Sequence, residues 1–172
     1  MLARLAARRR HAAAPVNQAK IQHAFEEFLK TRALKLTPQR RRIFARVFAT
    51  HEHFSAETLY GWMRAEEGSR VSRATVYRTL SLLVEGSFLE TLDPGTGELL
   101  YEHVLGHRHH DHLVCTACGR IEEFTDERIE AFQREVALRK GFTLQYHNLR
   151  LFGSCASCSR KRARRPAGKA NA

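Results

Sequence analysis

Between His107 and His112 the chain reads HRHHDH, four histidines and an aspartate in six residues. Imidazoles and carboxylates at that density serve as ligands for divalent transition metals. Two chemistries fit. The H-x-H-x-D-H spacing opens the dinuclear site of one class of metal-dependent hydrolases. The same residues also suit a metal that controls a conformation without reacting. Further on, Cys115-x-x-Cys118 and Cys155-x-x-Cys158 use every cysteine in the chain, with 36 residues between the pairs. Four thiolates make a closed tetrahedral set for structural Zn²⁺, and the binding energy of such a metal is folding energy. A redox pair or buried free thiols are the alternatives, but a redox motif uses one pair at a strand-to-helix turn, and two pairs argue against it.

The hydrolase reading makes demands that the chain does not meet. A dinuclear site needs further histidine and acidic ligands from later loops, and a large two-layer scaffold around an open cleft. Of the 60 residues after His112, His147 is the sole histidine, and the same stretch must build the four-cysteine site. No nucleophile constellation and no phosphate-binding glycine loop appears elsewhere. A dinuclear metal hydrolase is kept as a distant alternative, and the chain reads as a binding protein, not an enzyme.

Charge placement says what else is bound. The net charge is +11, yet residues 21–158 hold 18 basic and 18 acidic side chains, so the excess sits in the two ends. Within that middle, 21–92 is +3 and 93–158 is −3. Basic ends and a mildly basic first half suit a polyanion, and an acidic, His-rich second half suits cations. Residues 1–16 read as a disordered basic arm and 159–172 as a disordered basic tail. No export signal or membrane-spanning run is present, which places the chain in the cytoplasm with no membrane partner, where paired cysteines more often hold metal than form disulfides.

The elements that must position these residues follow from periodicity and caps. Helical spacing begins at Asn17, with Ile21, Phe25 and Leu29 on one face. A second helix starts at Thr37-Pro38, a hydroxyl N-cap followed by proline where its missing N–H costs nothing. A third is capped by Ser55 and runs to near Gly68, and a fourth lies between Ser72 and Gly86. FLETL and LLYEHV, joined by DPGTGE, read as a β-hairpin. Helices followed by a hairpin predict a winged helix-turn-helix over 17–104, with the hinge included. Its fourth helix presents Arg73, Thr75, Tyr77 and Arg78 to a major groove. Tyr77 packs on a thymine methyl, and Arg78 reaches guanine or phosphate. Arg40, Arg41 and Arg42 read either as a solvated helix face or as phosphate contacts, with Arg40 counted among the DNA contacts.

Residues 105–158 predict a small α/β metal-binding dimerisation domain, making the whole chain α+β. It holds two short strands around the first cysteine pair, a helix capped by Thr125 or Asp126 and ending at Gly141, and a strand over FTLQYHNLRLFG bulged near His147. Its exposed sheet edge is a natural place for a second copy to pair across a two-fold axis.

The succession LTPQR, HFSAETLY, ATVYRTL, YE, HHDHLVCTACG, EEF, His147 and CASC resembles the ferric uptake regulator family from Leu34 to Cys158. That resemblance implies a homodimeric, metal-responsive repressor of transcription that binds double-stranded DNA at an A·T-rich inverted repeat. It implies Fe²⁺ as the regulatory metal, with Mn²⁺ or Zn²⁺ able to take the site in vitro, and control of iron homeostasis genes. The implied regulatory ligands are His53, Glu102, His110, His112 and Glu123. A third site is implied at His109, Asp111, Glu130 and His147, and Lys35 matches a position that enters an A·T-rich minor groove. There is one more residue between Glu102 and His110 than is common in the family, which bears on the Glu102 assignment. A peroxide-, manganese- or zinc-sensing member is the alternative. Glutamates at 102 and 123, where peroxide sensors typically have aspartates, favour the iron type. A metal buffer without DNA binding would leave the cluster on the fourth helix unexplained.

Overall fold

A computed structural model describes residues 18–68, 70–103 and 109–163. The chain divides into two units, one formed by Met1–Glu90 with Tyr101–Arg108 and the other by Thr91–Leu100 with His109–Ala172. The division at 108/109 lies four residues beyond the expected 104/105 boundary, and the outer part of the hairpin belongs to the second unit. Among the described residues, no helix is long and apolar enough to cross a membrane.

In the first unit, α1 (Gln18–Thr31) buries Ile21, Phe25 and Leu29, one residue per turn along a single stripe. Three hydroxyl caps then set three helix starts. Thr37 Oγ1 accepts from the Arg40 N–H at 3.3 Å to begin α2 (Pro38–Phe48). Ser55 Oγ accepts from the Thr58 N–H at 3.1 Å to begin α3 (Ala56–Ala65). Ser72 Oγ does the same for the Thr75 N–H at 3.1 Å, beginning α4 (Arg73–Glu85). Each cap satisfies a donor that the first helical turn leaves without an internal partner. The stripes converge on one core: Phe25 stacks on Phe44 at 5.6 Å and meets Phe88 edge-on at 5.3 Å, while Val76, Leu80 and Leu83 of α4 are fully buried. A β-carbon at Gly86 would lie 2.5 Å from the Phe88 ring, so a side chain there would displace the residue that closes the core.

The wing is a three-stranded sheet in the order β1 (Phe54–Ser55), β3 (Leu100–His103), β2 (Leu89–Leu92). The short β1 is invisible in the sequence, because two residues carry no periodicity. The third helix stops at Ala65, short of Gly68, which adopts a left-handed φ of 69°.

The second unit is a sheet in the order β5 (Ile121–Phe124), β4 (Asp111–Cys115), β6 (Arg150–Gly153). β4 and β5 are antiparallel with His112 opposite Glu123, whereas β4 and β6 run parallel. A parallel pair needs a crossover, and α5 (Glu127–Arg139), capped by Asp126, lies within it. α6 (Ala156–Ala163) starts directly after Cys155 and carries Cys158 in its first turn. The expected tail is therefore helical over its first five residues, 159–163, and its remainder lies outside the described residues, as does the arm at 1–16.

The strand expected over FTLQYHNLRLFG forms only at Arg150–Gly153, with the Leu149 carbonyl just before it accepting from the His112 N–H of β4 at 3.1 Å. Phe142 and Tyr146 are 71% and 86% exposed, and α5 buries none of its residues. The alternation of Phe142, Leu144 and Tyr146 specifies a strand face, but a ladder needs a neighbour, and β4 is already paired on both sides.

Candidate metal centres and nucleic-acid interface

The four cysteines come together in the second unit. Their sulfurs all lie within 4.8 Å of one another, with Cys118 Sγ 3.9 Å from Cys155 Sγ. β4 delivers Cys115, and a tight turn closes on it, where the Gly119 N–H donates to the Cys115 carbonyl at 2.8 Å. Gly119 has φ 71°, a backbone state that a residue with a β-carbon adopts at a cost. β6, held parallel to β4, brings the second pair alongside, and the Cys155 N–H donates to Cys115 Sγ at 3.2 Å.

The thiols are unequal. The Ser157 hydroxyl, 3.0 Å from Cys155 Sγ, is the main cause that brings Cys155 down to about 6. The Cys155 backbone N–H lowers Cys115. Hydrogen bonding with Cys118, then Cys155, pushes Cys158 up to about 12. Without a cation, close sulfurs hold their charge unevenly, and a soft divalent metal suits such a set once all four are thiolates.

A second cluster occupies the same unit. His147 Nε2 lies 3.1 Å from Glu130 Oε1, and His109 Nε2 is 3.3 Å from both Glu130 Oε1 and Asp111 Oδ1. Asp111 is 1% exposed, and neither carboxylate oxygen has hydrogen-bond geometry with any partner among the described residues. Burying a carboxylate in that condition is costly, and a bound cation would relieve it. The four ligand atoms lie within 4.8 Å of one another. Arg134 reaches Glu130 at 3.8 Å, which the sequence reading missed, although the two are one helical turn apart.

The five residues of the regulatory set fall into two groups, one in each unit. In the first unit His53 Nε2 is 3.1 Å from Glu102 Oε2. In the second unit the rings of His110 and His112 are 4.9 Å apart, and exposed Glu123 stands opposite His112 in the strand register. His109 and Asp111 alternate with His110 and His112 along the chain, which turns them to the other face.

On α4, Arg73, Tyr77 and Arg78 are exposed. Thr75 is half-buried, with its hydroxyl 2.9 Å from Ser72 Oγ. Glu57 of α3, which the sequence reading did not single out, takes the Tyr77 hydroxyl at 3.0 Å and Arg73 Nη2 at 3.0 Å. That hydrogen bond to Glu57 raises Tyr77 above the usual phenol range, so the ring keeps its proton and remains a donor. The Arg73 guanidinium also lies 5.1 Å from the Tyr60 ring. On α2, Arg40 Nη1 donates to the Lys35 carbonyl at 2.7 Å, and Arg42 Nη1 donates to the Gly68 carbonyl at 3.0 Å. Arg42 thus holds the connection leading into α4, and Arg41 is exposed. No periodicity marks these links, because each joins elements remote in sequence or reaches a backbone atom.

A winged helix with an exposed Arg-Tyr-Arg face, joined to an α/β unit that gathers metal ligands, defines a metal-responsive DNA-binding regulator of transcription. The comparisons agree. The model of the ferric uptake regulator family matches residues 31–152. The chain is 36% identical over 141 residues to the ferric uptake regulation protein of Campylobacter jejuni, covering 81% of this chain and 89% of that protein. It is also similar to the ferric uptake regulator structure of Helicobacter pylori, described as revealing three functional metal-binding sites. There the TM-score is 0.72 at 29% identity, covering 83% of this chain and 94% of that one. The Pseudomonas aeruginosa ferric uptake regulator with manganese superimposes with a TM-score of 0.67 at 29% identity, covering 83% and 99%. The chain belongs to the ferric uptake regulator family. It is a metal-responsive transcriptional repressor, not an enzyme.

Proposed function

We propose that the chain is a cytoplasmic homodimer that represses iron homeostasis genes when Fe²⁺ occupies His53, Glu102, His110, His112 and Glu123. The observation that carries this reading is the pairing of His53 with Glu102 at 3.1 Å, in the unit that also carries the proposed DNA-facing helix. Imidazole and carboxylate donors in that number suit five- or six-coordinate divalent metals, unlike the closed thiolate set. Ligands drawn from both units let a metal favour one arrangement of the winged helices, and only a metal that binds that arrangement more tightly shifts the equilibrium. The two recognition helices of a dimer would then match the half-sites of an A·T-rich inverted repeat.

Zn²⁺ at the four cysteines is the structural ion in this reading, and His109, Asp111, Glu130 and His147 form the third site. Dimer formation is supported by the large apolar side chains that the second unit leaves uncovered, since Phe132, Leu138, Phe142, Tyr146 and Phe152 are more than half exposed. The manganese in the Pseudomonas structure supports Mn²⁺ as a stand-in for Fe²⁺ at such sites, and Zn²⁺ outcompetes both on affinity alone.

The test is a pair of variants. His110→Ala should lose metal-dependent DNA binding and keep both its zinc and its fold. Cys115→Ser should lose zinc and the folded second unit together. A His110→Ala protein that sheds its zinc and falls apart would show that the two sites have been divided wrongly.

A further inference from the structure

Glu102 and His103 end β3 and, as neighbours on a strand, face opposite ways. Glu102 meets His53. His103 is 8% exposed, and its Nε2 lies 2.7 Å from the carbonyl of Thr50. A carbonyl only accepts, so Nε2 carries the proton and donates. The ring is seated 5.3 Å from Phe48 and 5.5 Å from His51. Thr50 is held from the other side as well, since its N–H donates to Val47 at 3.1 Å and its hydroxyl to the Arg46 carbonyl at 3.0 Å. The irregular link between α2 and β1 is therefore fastened twice to the end of β3, by His103 at Thr50 and by Glu102 at His53.

We infer that His103 is a positioning residue for the regulatory metal: it holds Thr50 so that the link presents the His53 imidazole beside Glu102 before a cation arrives. The inference rests on His53 and Glu102 being ligands. Its logic is preorganisation, because a link already fixed loses less freedom on binding. Groups that orient ligands from behind typically change metal affinity by 10- to 100-fold, although they never touch the ion.

Two variants separate the hydrogen bond from the packing. His103→Phe keeps an aromatic ring against Phe48 and removes the donor. His103→Gln replaces the ring with an amide that still has an N–H to donate. Both are made in the full, zinc-loaded chain, and Co²⁺ is titrated by its visible bands, taking the component that His53→Ala removes. Hydrogen exchange at residues 51–53 is measured before Co²⁺ is added. His103→Phe should weaken that component by about tenfold or more and speed the exchange, while His103→Gln stays within about threefold of the parent. Wild-type Co²⁺ affinity with unchanged exchange in His103→Phe overturns the inference. Equal loss in both variants does too, since it would mean that only packing matters. If His53→Ala removes no component from the parent, the ligand assignment itself fails and takes the inference with it.

Discussion

The Tyr77 hydroxyl donates to Glu57 at 3.0 Å, and the same carboxylate holds Arg73 through its other oxygen at 3.0 Å. Two of the side chains proposed to contact DNA are thus tied to an acid on the neighbouring helix. Such exposed pairs are weak, so DNA phosphate can displace the carboxylate at little cost. Glu57→Ala should therefore tighten binding to unrelated DNA and steepen its salt dependence, as Arg73 becomes free for phosphate. Anisotropy on a scrambled duplex across a salt series reads this directly. Unchanged affinity and slope would mean that Glu57 does not compete with DNA.

Arg78 is exposed on the same helix. If it reads a base, Arg78→Ala costs about 1–3 kcal/mol on the cognate site and relaxes preference at one position. A uniform loss on every sequence, with the salt slope reduced by about one, would instead make it a phosphate contact.

The thiols should differ in reactivity while zinc is being removed. Thiolate is the nucleophile, so a group brought down to about 6 is charged at neutral pH, and one pushed up to about 12 is not. In a brief iodoacetamide pulse at pH 7 during chelation, Cys155 should be labelled before Cys158. As pH falls through about 6, the advantage of Cys155 should disappear. Equal labelling of the two at pH 7, read by mass spectrometry, would contradict the described geometry.

Asp111 tests the third site from the other direction. Among the described residues its buried carboxylate has no hydrogen bond, only the ion-pair contact with His109 at 3.3 Å, and it lies near Glu130 in the same cluster. Asp111→Asn should raise the melting temperature of the protein lacking third-site metal, because it removes a buried charge. It should also lose the gain that metal gives, about 2.7 kcal/mol at a concentration a hundred times Kd. A variant with a lower melting temperature and undiminished metal stabilisation would place no ion at this aspartate.

Much of this is legible in the sequence. Thr37, Ser55 and Ser72 announced three helix starts through their hydroxyls, and the i, i+4 stripe of α1 and the apolar face of α4 announced the core. The four-cysteine cluster was legible because its spacing is confined to a few residues at each pair. What stayed hidden has a common cause. Glu57 and His103 act through partners on other elements or through single backbone atoms, and these leave no period in the sequence, whereas the Glu130–Arg134 pair has the ordinary i, i+4 spacing of one helix. The strand expected from Phe142 to Gly153 shows the converse, since its alternation is plain but a ladder also needs a neighbour, which on the proposed reading a second copy supplies.

That neighbour is testable. Tyr146→Asp places a charge on the most exposed of the large apolar residues in the second unit. Sedimentation should show a dimer for the parent and a monomer for the variant, with zinc retained in both. A dimer in both would move the interface elsewhere.

The central claim is that metal converts this chain into a DNA-binding repressor. Anaerobic anisotropy on a labelled A·T-rich inverted repeat, at fixed salt and with loosely held metal removed, tests it most directly. Tight binding that appears with Fe²⁺ or Mn²⁺ and vanishes with chelator is the predicted result. Weak binding that is equal with and without metal would contradict the account and leave only a basic surface that adheres to DNA.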